Sequence, residues 1–382
     1  MVPYLFFIQE EKVLLQCKSY MKSAKILLSF LVLFVLCDAV LGQNLKDFDV
    51  TTHNIAIGNR NEDKKANINV GLMADVTVLK GCQMSLGTAL VRERAIGFNF
   101  SLVRVITLGD MWGMQSSLVS DVVNGEMKGL QFSGVINSSK QMRGMQLSTF
   151  NNIAIRMQGV QLSGIENITL SAGRGLQLAS VMNICIDDMH GVQMSAFNYA
   201  DEIVGLQLGL VNICTQNPHG TQIGLFNYSR ESNSRKIGLV NLSPQTRIQM
   251  MVFGGNASKI NVAARFRNNN TYNIVGIGTH YMGLDKKFSG SLFYSMGYWT
   301  TVFNDKWSVN ADIGFSHTES FNQEDLKTPE RLYSLNTNVS LEYQCFKQLG
   351  FFVAAGYGVD RYYEHNETYK RSFLMKVGMI FF

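Results

Sequence analysis

The acidic pairs Asp187-Asp188 and Asp201-Glu202, the histidines His190 and His219, and the cysteines Cys82, Cys185, Cys214 and Cys345 are the side chains whose grouping first invites a chemical reading. Two carboxylates at a set separation in a cleft hydrolyse glycosidic bonds. His and Cys side chains about 2 Å from one ion hold zinc. The spacing speaks against both. His190 and His219 each stand immediately before a Gly that opens a repeated phrase, two copies apart. Cys185 and Cys214 occupy matching contexts, Asn183-Ile184-Cys185 and Asn212-Ile213-Cys214, also two copies apart. In a parallel stack that is ~10 Å, beyond disulfide reach. No C-x-x-C occurs, so no zinc site is expected. The acids read as solvated turn residues, and so do the histidines. This leaves no catalytic, cofactor-binding or metal-binding residue to nominate, and the expectation is a protein that is not an enzyme.

What those residues sit between is far more regular. Gly205-Leu206-Gln207-Leu208-Gly209-Leu210-Val211-Asn212 is one copy of a phrase whose Gly returns at 81, 97, 113, 129, 144, 159, 175, 191, 205 and 220. An eleventh copy survives as Lys236-Ile237-Gly238-Leu239-Val240-Asn241. Counting Gly as one, the third position is an amide: Gln83, Asn99, Gln115, Gln131, Gln146, Gln161, Gln177, Gln193, Gln207 and Gln222. The fourth is mostly large and apolar, and the fifth is always small. From the fifth copy an Asn follows at position eight or nine: Asn151, Asn167, Asn183, Asn198, Asn212 and Asn227. Alternation of period two predicts a strand with one buried face.

A fixed period with fixed phase marks a repeat architecture. Parallel neighbours put Gly on Gly, Gln on Gln and Asn on Asn, and stacked amides hydrogen-bond along such a ladder. The reading is a β-solenoid with one coil per phrase over 81–245. An antiparallel meander is the alternative, because connections of ~7 residues also suit hairpins. Amides neither titrate nor make nucleophiles, so the Gln column reads as stacking rather than catalysis.

The G-[LVM]-Q-[LMI]-[SG]-x-[VF]-N strings resemble the surface-repeat family of leptospiral and Bacteroides-type surface proteins. The first three copies depart from it, with Thr88, Arg104 and Ser120 in place of the closing Asn. The resemblance implies an envelope or surface protein without an assigned catalytic activity, hence no site residues to carry over.

The rest of the chain gives the expected address. Met21-Lys22-Ser23-Ala24-Lys25 is a basic region followed by an apolar run from Ile26 to Cys37 and by Val40-Leu41-Gly42, as in a secretory signal. Translation is expected to start at Met21, so residues 1–42 divide into an upstream extension and a signal peptide, and 43–80 into a lead-in or cap. Charged residues are 16% of the 382 and the net charge of +5 is spread without a basic run. Nucleic acid is therefore an unlooked-for partner.

After Pro244 the alternation lengthens. Lys306–Ser316 sets Trp307, Val309, Ala311, Ile313 and Phe315 against Ser308, Asn310, Asp312 and Gly314. The run 333–345 alternates likewise, and Phe373, Met375, Val377, Met379 and Phe381 share a face near the end. Further strands fit at 247–254, 258–266, 272–281, 288–298 and 349–361, eight in all. The fold class is thus all-β: a repeat solenoid followed, over 246–382, by an antiparallel up-and-down barrel of about eight strands. Strand length, aromatics near strand ends (Tyr294, Tyr298, Trp307, Phe315, Tyr333, Tyr343) and the terminal Phe382 point to an outer-membrane barrel. The expected function is a non-enzymatic envelope or surface protein anchored in the outer membrane, adhesin-like, with membrane lipid and a protein or glycan ligand as partners. A small pore and a polysaccharide-active enzyme are the alternatives. The short 346–348 turn and the polar 317–330 connection put the repeats at the periplasmic end by strand parity, whereas the resemblance puts them on the surface.

Overall fold

The phase of the repeat demands parallel stacking, and the computed structural model, which describes residues 65–216, 219–231, 234–279, 289–320 and 331–382, has it. Gly144 lies opposite Gly159 and Gln146 opposite Gln161. Gly191 lies opposite Gly205 and Asn183 opposite Asn198. The stack is a β-solenoid of about 11 turns, roughly 50 Å long at the spacing of neighbouring strands. The antiparallel meander is thereby excluded for this segment. Strand Lys65–Gly71 already pairs in parallel with Ala74–Ser85, so the stack reaches back into the 43–80 stretch expected as a lead-in. The upstream extension and signal segment of 1–42 lie outside the described residues.

Each coil is one long strand or two short ones. Asn151–Ser163 is unbroken, whereas Glu166–Thr169 and Gly173–Ala179 divide the next coil. The phrase Gly bends the strand. From Gly81 to Gly205 these glycines have φ of 119–144°, a region that L side chains avoid. They also stack closely: a Cβ on Gly159 would lie 2.0 Å from the Gly144 carbonyl oxygen. Both constraints select Gly.

The direction of the alternation is the less obvious feature. The polar, odd positions point inward, and Gln115, Gln131, Gln146, Gln161, Gln177 and Gln193 are fully buried. The apolar fourth position points out, with Met84 49% and Phe132 45% exposed. The apolar part of the core comes from a different column, two residues before the phrase Gly. Leu79, Ala95, Met111, Met127, Met142, Met157, Met189 and Ile203 are all buried there.

The chain then forms a closed antiparallel barrel. Its strands are β1 (Arg247–Gly255), β2 (Asn261–Arg267), β3 (Thr271–Gly278), β4 (Ser289–Val302), β5 (Asn304–Ser320), β6 (Arg331–Phe346), β7 (Leu349–Tyr362) and β8 (Thr368–Phe381). β8 returns to β1 through pairs such as Ile380 with Met251, which leaves no free edge. One end has the tight connections 268–270, 303 and 347–348, and the longer connections are at the other. The wall is apolar outside, and inside a polar network lies beside an apolar cluster that includes Met251, Ile274, Phe352 and Ile380. Ile313 and Val339 are 60% and 57% exposed, whereas Ser308, Asn310, Asn338 and Glu342 are buried. Of the last two residues, Phe381 faces outward and Phe382 packs against the inner cluster around Phe352 and Ile380.

Candidate functional site

Two amide columns run through the solenoid. In the first, each Gln Nε2 donates to the Gln Oε1 one coil back, from Gln146 to Gln131 (2.8 Å) through Gln161, Gln177, Gln193 and Gln207 to Gln222 (2.9 Å to Gln207). Before Gln146 the amides turn to the backbone: Gln131 donates to the Asp121 and Ser138 carbonyls, Gln115 to the Val105 and Val122 carbonyls, and neither amide atom of the shorter Asn99 has a partner. Lys236 ends the column opposite Gln222, with its Nζ donating to the Leu242 carbonyl at 3.0 Å. Burial pushes that ammonium down to about 8.

The second column is Asn137, Asn152, Asn167, Asn183, Asn198, Asn212, Asn227 and Asn241, each Nδ2 donating to the next Oδ1 at 2.8–3.1 Å. The sequence reading placed Asn151 here, but the residue in the column is Asn152. It is position nine of its phrase, whereas Asn151 lies at the corner, half-buried. Each Asn from 137 to 227 also donates to a backbone carbonyl of the following coil, as Asn198 does to Leu208 at 2.9 Å. One coil before Asn137, Asp121 stands in the same column. It is fully buried, and neither carboxyl oxygen makes a well-formed hydrogen bond. Burial pushes its carboxyl well above the usual carboxylate range, and Ser117 offsets only part of that.

The chemically suggestive residues take unremarkable places. Cys185 and Cys214 both pair with Ala200 across neighbouring coils, which puts them two coils apart. Both are free thiols, and burial pushes both up to about 12, far from a reactive thiolate. Asp187, Asp188 and His190 are exposed along one corner, and His219 is exposed too. Asp201 accepts from the Tyr199 hydroxyl at 2.7 Å and the Thr215 hydroxyl at 3.1 Å, a local tie rather than a cleft. Among the described residues no three His, Cys, Asp or Glu side chains converge on one point.

The outer surface of the rod is divided by chemistry. One side carries ion pairs: Arg92 holds Asp75 on the coil before through two guanidinium nitrogens, and Glu126 meets Arg143 on the next coil and Lys128 on its own strand. Trp112 lies between the Arg94 guanidinium at 5.0 Å and the Lys128 ammonium at 4.8 Å. The corner that follows the phrase Gly is different. Positions two to seven hold no Asp, Glu, Lys or Arg in any copy from Gly81 to Gly220.

The barrel lumen is filled. Arg265 grips Glu342 with two bonds of 2.9 and 3.0 Å and donates to Gln249 at 2.7 Å. Arg267 adds a 3.4 Å contact to Glu342 and stacks 3.4 Å over the Trp299 ring. Tyr272 and Asn338 both donate to Asp312 at 2.8 Å. The space left beside them is a cavity of about 50 Å³, room for a water or two.

The two parts meet at the tight-turn end. Opposite partners in an antiparallel pair share a face, and β3 residues Tyr272 and Ile274 face in with Arg267 and Arg265. Asn273 therefore faces out, as does Tyr294 on β4. Asn241 Nδ2 donates to Asn273 Oδ1 at 2.7 Å, which adds a barrel residue to the solenoid's Asn column. Asn273 Nδ2 and the Tyr294 hydroxyl both donate to the Gly238 carbonyl, at 3.1 and 2.7 Å. Tyr294, which the sequence placed with the aromatic girdle, instead caps the last coil. Nothing in Asn273 or Tyr294 alone marks this role; the one signal is an Asn column that needs a partner after Asn241.

No protein-family model matches the chain, and no curated protein does. Solved structures similar to it include the N-terminal β-barrel domain of OprF from Pseudomonas aeruginosa, at 13% identity over 36% of this chain and 98% of that one, with a TM-score of 0.28. Neisserial surface protein A is 11% identical over 35% of this chain and 93% of its own, with a TM-score of 0.24. Ail, the attachment invasion locus protein of Yersinia pestis, is 15% identical over 35% and 92%, with a TM-score of 0.19.

Proposed function

We propose that the chain is a non-enzymatic protein of the Gram-negative outer membrane, anchored by its barrel and carrying the solenoid on the tight-turn side as a binding or structural module of the envelope. The observation that carries this reading is the inverted barrel wall: apolar side chains outside, a charged and amide-rich network inside. A barrel in water has the reverse distribution, because exposed apolar area is costly there and buried ions must be paired. Five of the strands, β4 to β8, run 14 to 17 residues, longer than a tilted crossing requires. Aromatic contacts stand at two levels, Trp307 with Tyr343 and Phe315 with Tyr333. Along β5 these levels are roughly 27 Å apart at the antiparallel rise, or roughly 20 Å along the membrane normal at a strand tilt of about 40°, within a few ångströms of the apolar band between interfacial girdles.

The filled lumen favours an anchor over a pore, and planar bilayers containing the purified protein are expected to show no unitary conductance. A protein or glycan ligand would meet the ion-paired side of the rod, around Arg92, Trp112 and Arg143. Outer-membrane barrels keep their short turns in the periplasm, which favours a periplasmic position for the repeats. The surface location implied by the family resemblance, and an adhesin-like role with it, needs them outside. Protease sites inserted at Asn217 and at Gln323, tested on intact cells, separate the two. Cleavage at Gln323 alone is expected. Cleavage at both moves the repeats to the surface and favours adhesion, and a soluble protein cut at neither site sinks the anchor reading.

A further inference from the structure

On the footing of the barrel anchor proposed above, we propose that the rod lies along the membrane and that its uncharged corner rests in the lipid headgroup region on the tight-turn side.

The first ground is the junction. The solenoid's open end meets the barrel from outside, on Asn273 and Tyr294, rather than hanging below its rim. Each coil stacks on the next through the Asn column, and Asn273 supplies the next member of that column. The stacking axis therefore points into the barrel wall, and the rod leaves the wall sideways. A rod that leaves an embedded barrel sideways at its tight-turn end runs beside the bilayer surface.

The second ground is the orientation of the last coil. Thr246 and Ser243 bond to Asn268 in the tight turn, at 2.6 and 3.3 Å. Asn241 bonds to Asn273, further up the wall. Gly238 bonds to Tyr294, whose β3 partner is Val275, further up again. From residue 246 back to 238 the coil thus climbs from the turn toward the barrel's apolar belt. Its leading corner is Gly238-Leu239, the fifth and sixth positions of the phrase.

The third ground is what that corner carries along the rod. Positions two to seven are free of acidic and basic residues through ten successive copies, while the ion pairs lie elsewhere on the coil. Phe98, Leu118 and Leu210 are 60%, 60% and 55% exposed on it. An exposed apolar strip several coils long marks an interaction surface. Here it lies on the side of the rod that faces the belt; in the coil against the wall that corner is Gly238-Leu239, preceded by Arg235 and Lys236 at positions two and three. A surface apolar on one side and charged on the other binds in the plane of a membrane interface, as amphipathic helices do.

The test uses the full chain folded into vesicles of phosphatidylethanolamine and phosphatidylglycerol. These contain a phospholipid with a photoactivatable group near the headgroup end of its acyl chain. Adducts are mapped by peptide mass. Labelling of β5 to β8 reports insertion, and labelling of the corner peptides around Leu102, Leu118 and Leu210 reports the rod's position. Adducts at both are expected, with the peptides around Arg92 and Lys128 unlabelled and with loss of corner labelling in Leu102→Glu/Leu118→Glu. Barrel adducts without corner adducts overturn the inference and leave the anchor standing. Barrel adducts with a corner shielded in a dimer, seen by native mass measurement, assign the strip to a second copy and overturn it equally. Absence of barrel adducts overturns the anchor itself. Retention of a separate solenoid unfolding transition in the double variant excludes misfolding as the cause of lost labelling.

Discussion

Asp121 occupies the column that asparagines fill in every later coil, directly opposite Asn137. Asn137 Oδ1 has no donor, and the acid beside it has no well-formed bond of its own. A neutral carboxyl can supply a proton to such an acceptor, and a carboxylate cannot. Burial raises the folded-state pKa of Asp121 above its unfolded value, so the folded state binds the proton more tightly. Its contribution is harmless below the unfolded pKa and becomes destabilising as pH rises through the folded one. Asp121→Asn is expected to raise the melting temperature of the solenoid at neutral pH, by the equivalent of about 1–3 kcal/mol. That gain should shrink as pH falls below the ordinary carboxylate range, in melts followed by circular dichroism across pH. Gly159 shows a different kind of residue constraint. Its φ of +135° and the 2.0 Å approach of the Gly144 carbonyl leave no place for a methyl group. Gly159→Ala is expected to cost about 1–3 kcal/mol from backbone strain alone, with further loss from the broken stacking, read as a lowered solenoid transition in the same melts.

Single strands of the solenoid satisfy themselves only through their neighbours. Asn198 accepts from Asn183 and donates to Asn212 and to the Leu208 carbonyl. Asn198→Ala is expected to lower solenoid stability by about 1–3 kcal/mol, the cost of leaving buried polar groups unmet. Amide exchange should rise in the two adjoining coils rather than throughout the barrel. The parallel stack itself was legible in the recurrence of Gly, Gln and Asn at constant phase, because only parallel neighbours bring like residues together. Which face turns inward was not. Alternation has no sign, and only the amide-to-amide bonds along the axis make a Gln face the better interior. The column of Met111, Met127, Met142 and Met157 carries no such signal, because it precedes the phrase Gly by two residues, outside the conspicuous string. In the barrel the eight strands were legible from long period-two runs, such as the alternation from Trp307 to Phe315. An outer-membrane barrel requires the apolar set of that run to face outward, and Ser308 and Asn310 are buried accordingly.

At the scale of the whole molecule, a closed barrel and a stack of coils are joined by a handful of side chains. The barrel's own integrity turns on a lumen network in which Glu342 answers two guanidinium groups. Glu342→Ala leaves Arg265 and Arg267 uncompensated and is expected to cost about 3–5 kcal/mol. The midpoint of urea unfolding in detergent micelles, followed by the gel mobility of the folded form, measures it. The solenoid has no such central element, since each coil touches only its neighbours. The barrel dictates only the last of them, through Asn273 and Tyr294. Removal of one complete coil, such as residues 159–174, brings the far tip nearer by roughly 4.8 Å and leaves the junction untouched. The molecule is in this sense a ruler with its zero at the barrel wall, and gain or loss of whole phrases resets its reach in fixed increments without redesign of the anchor.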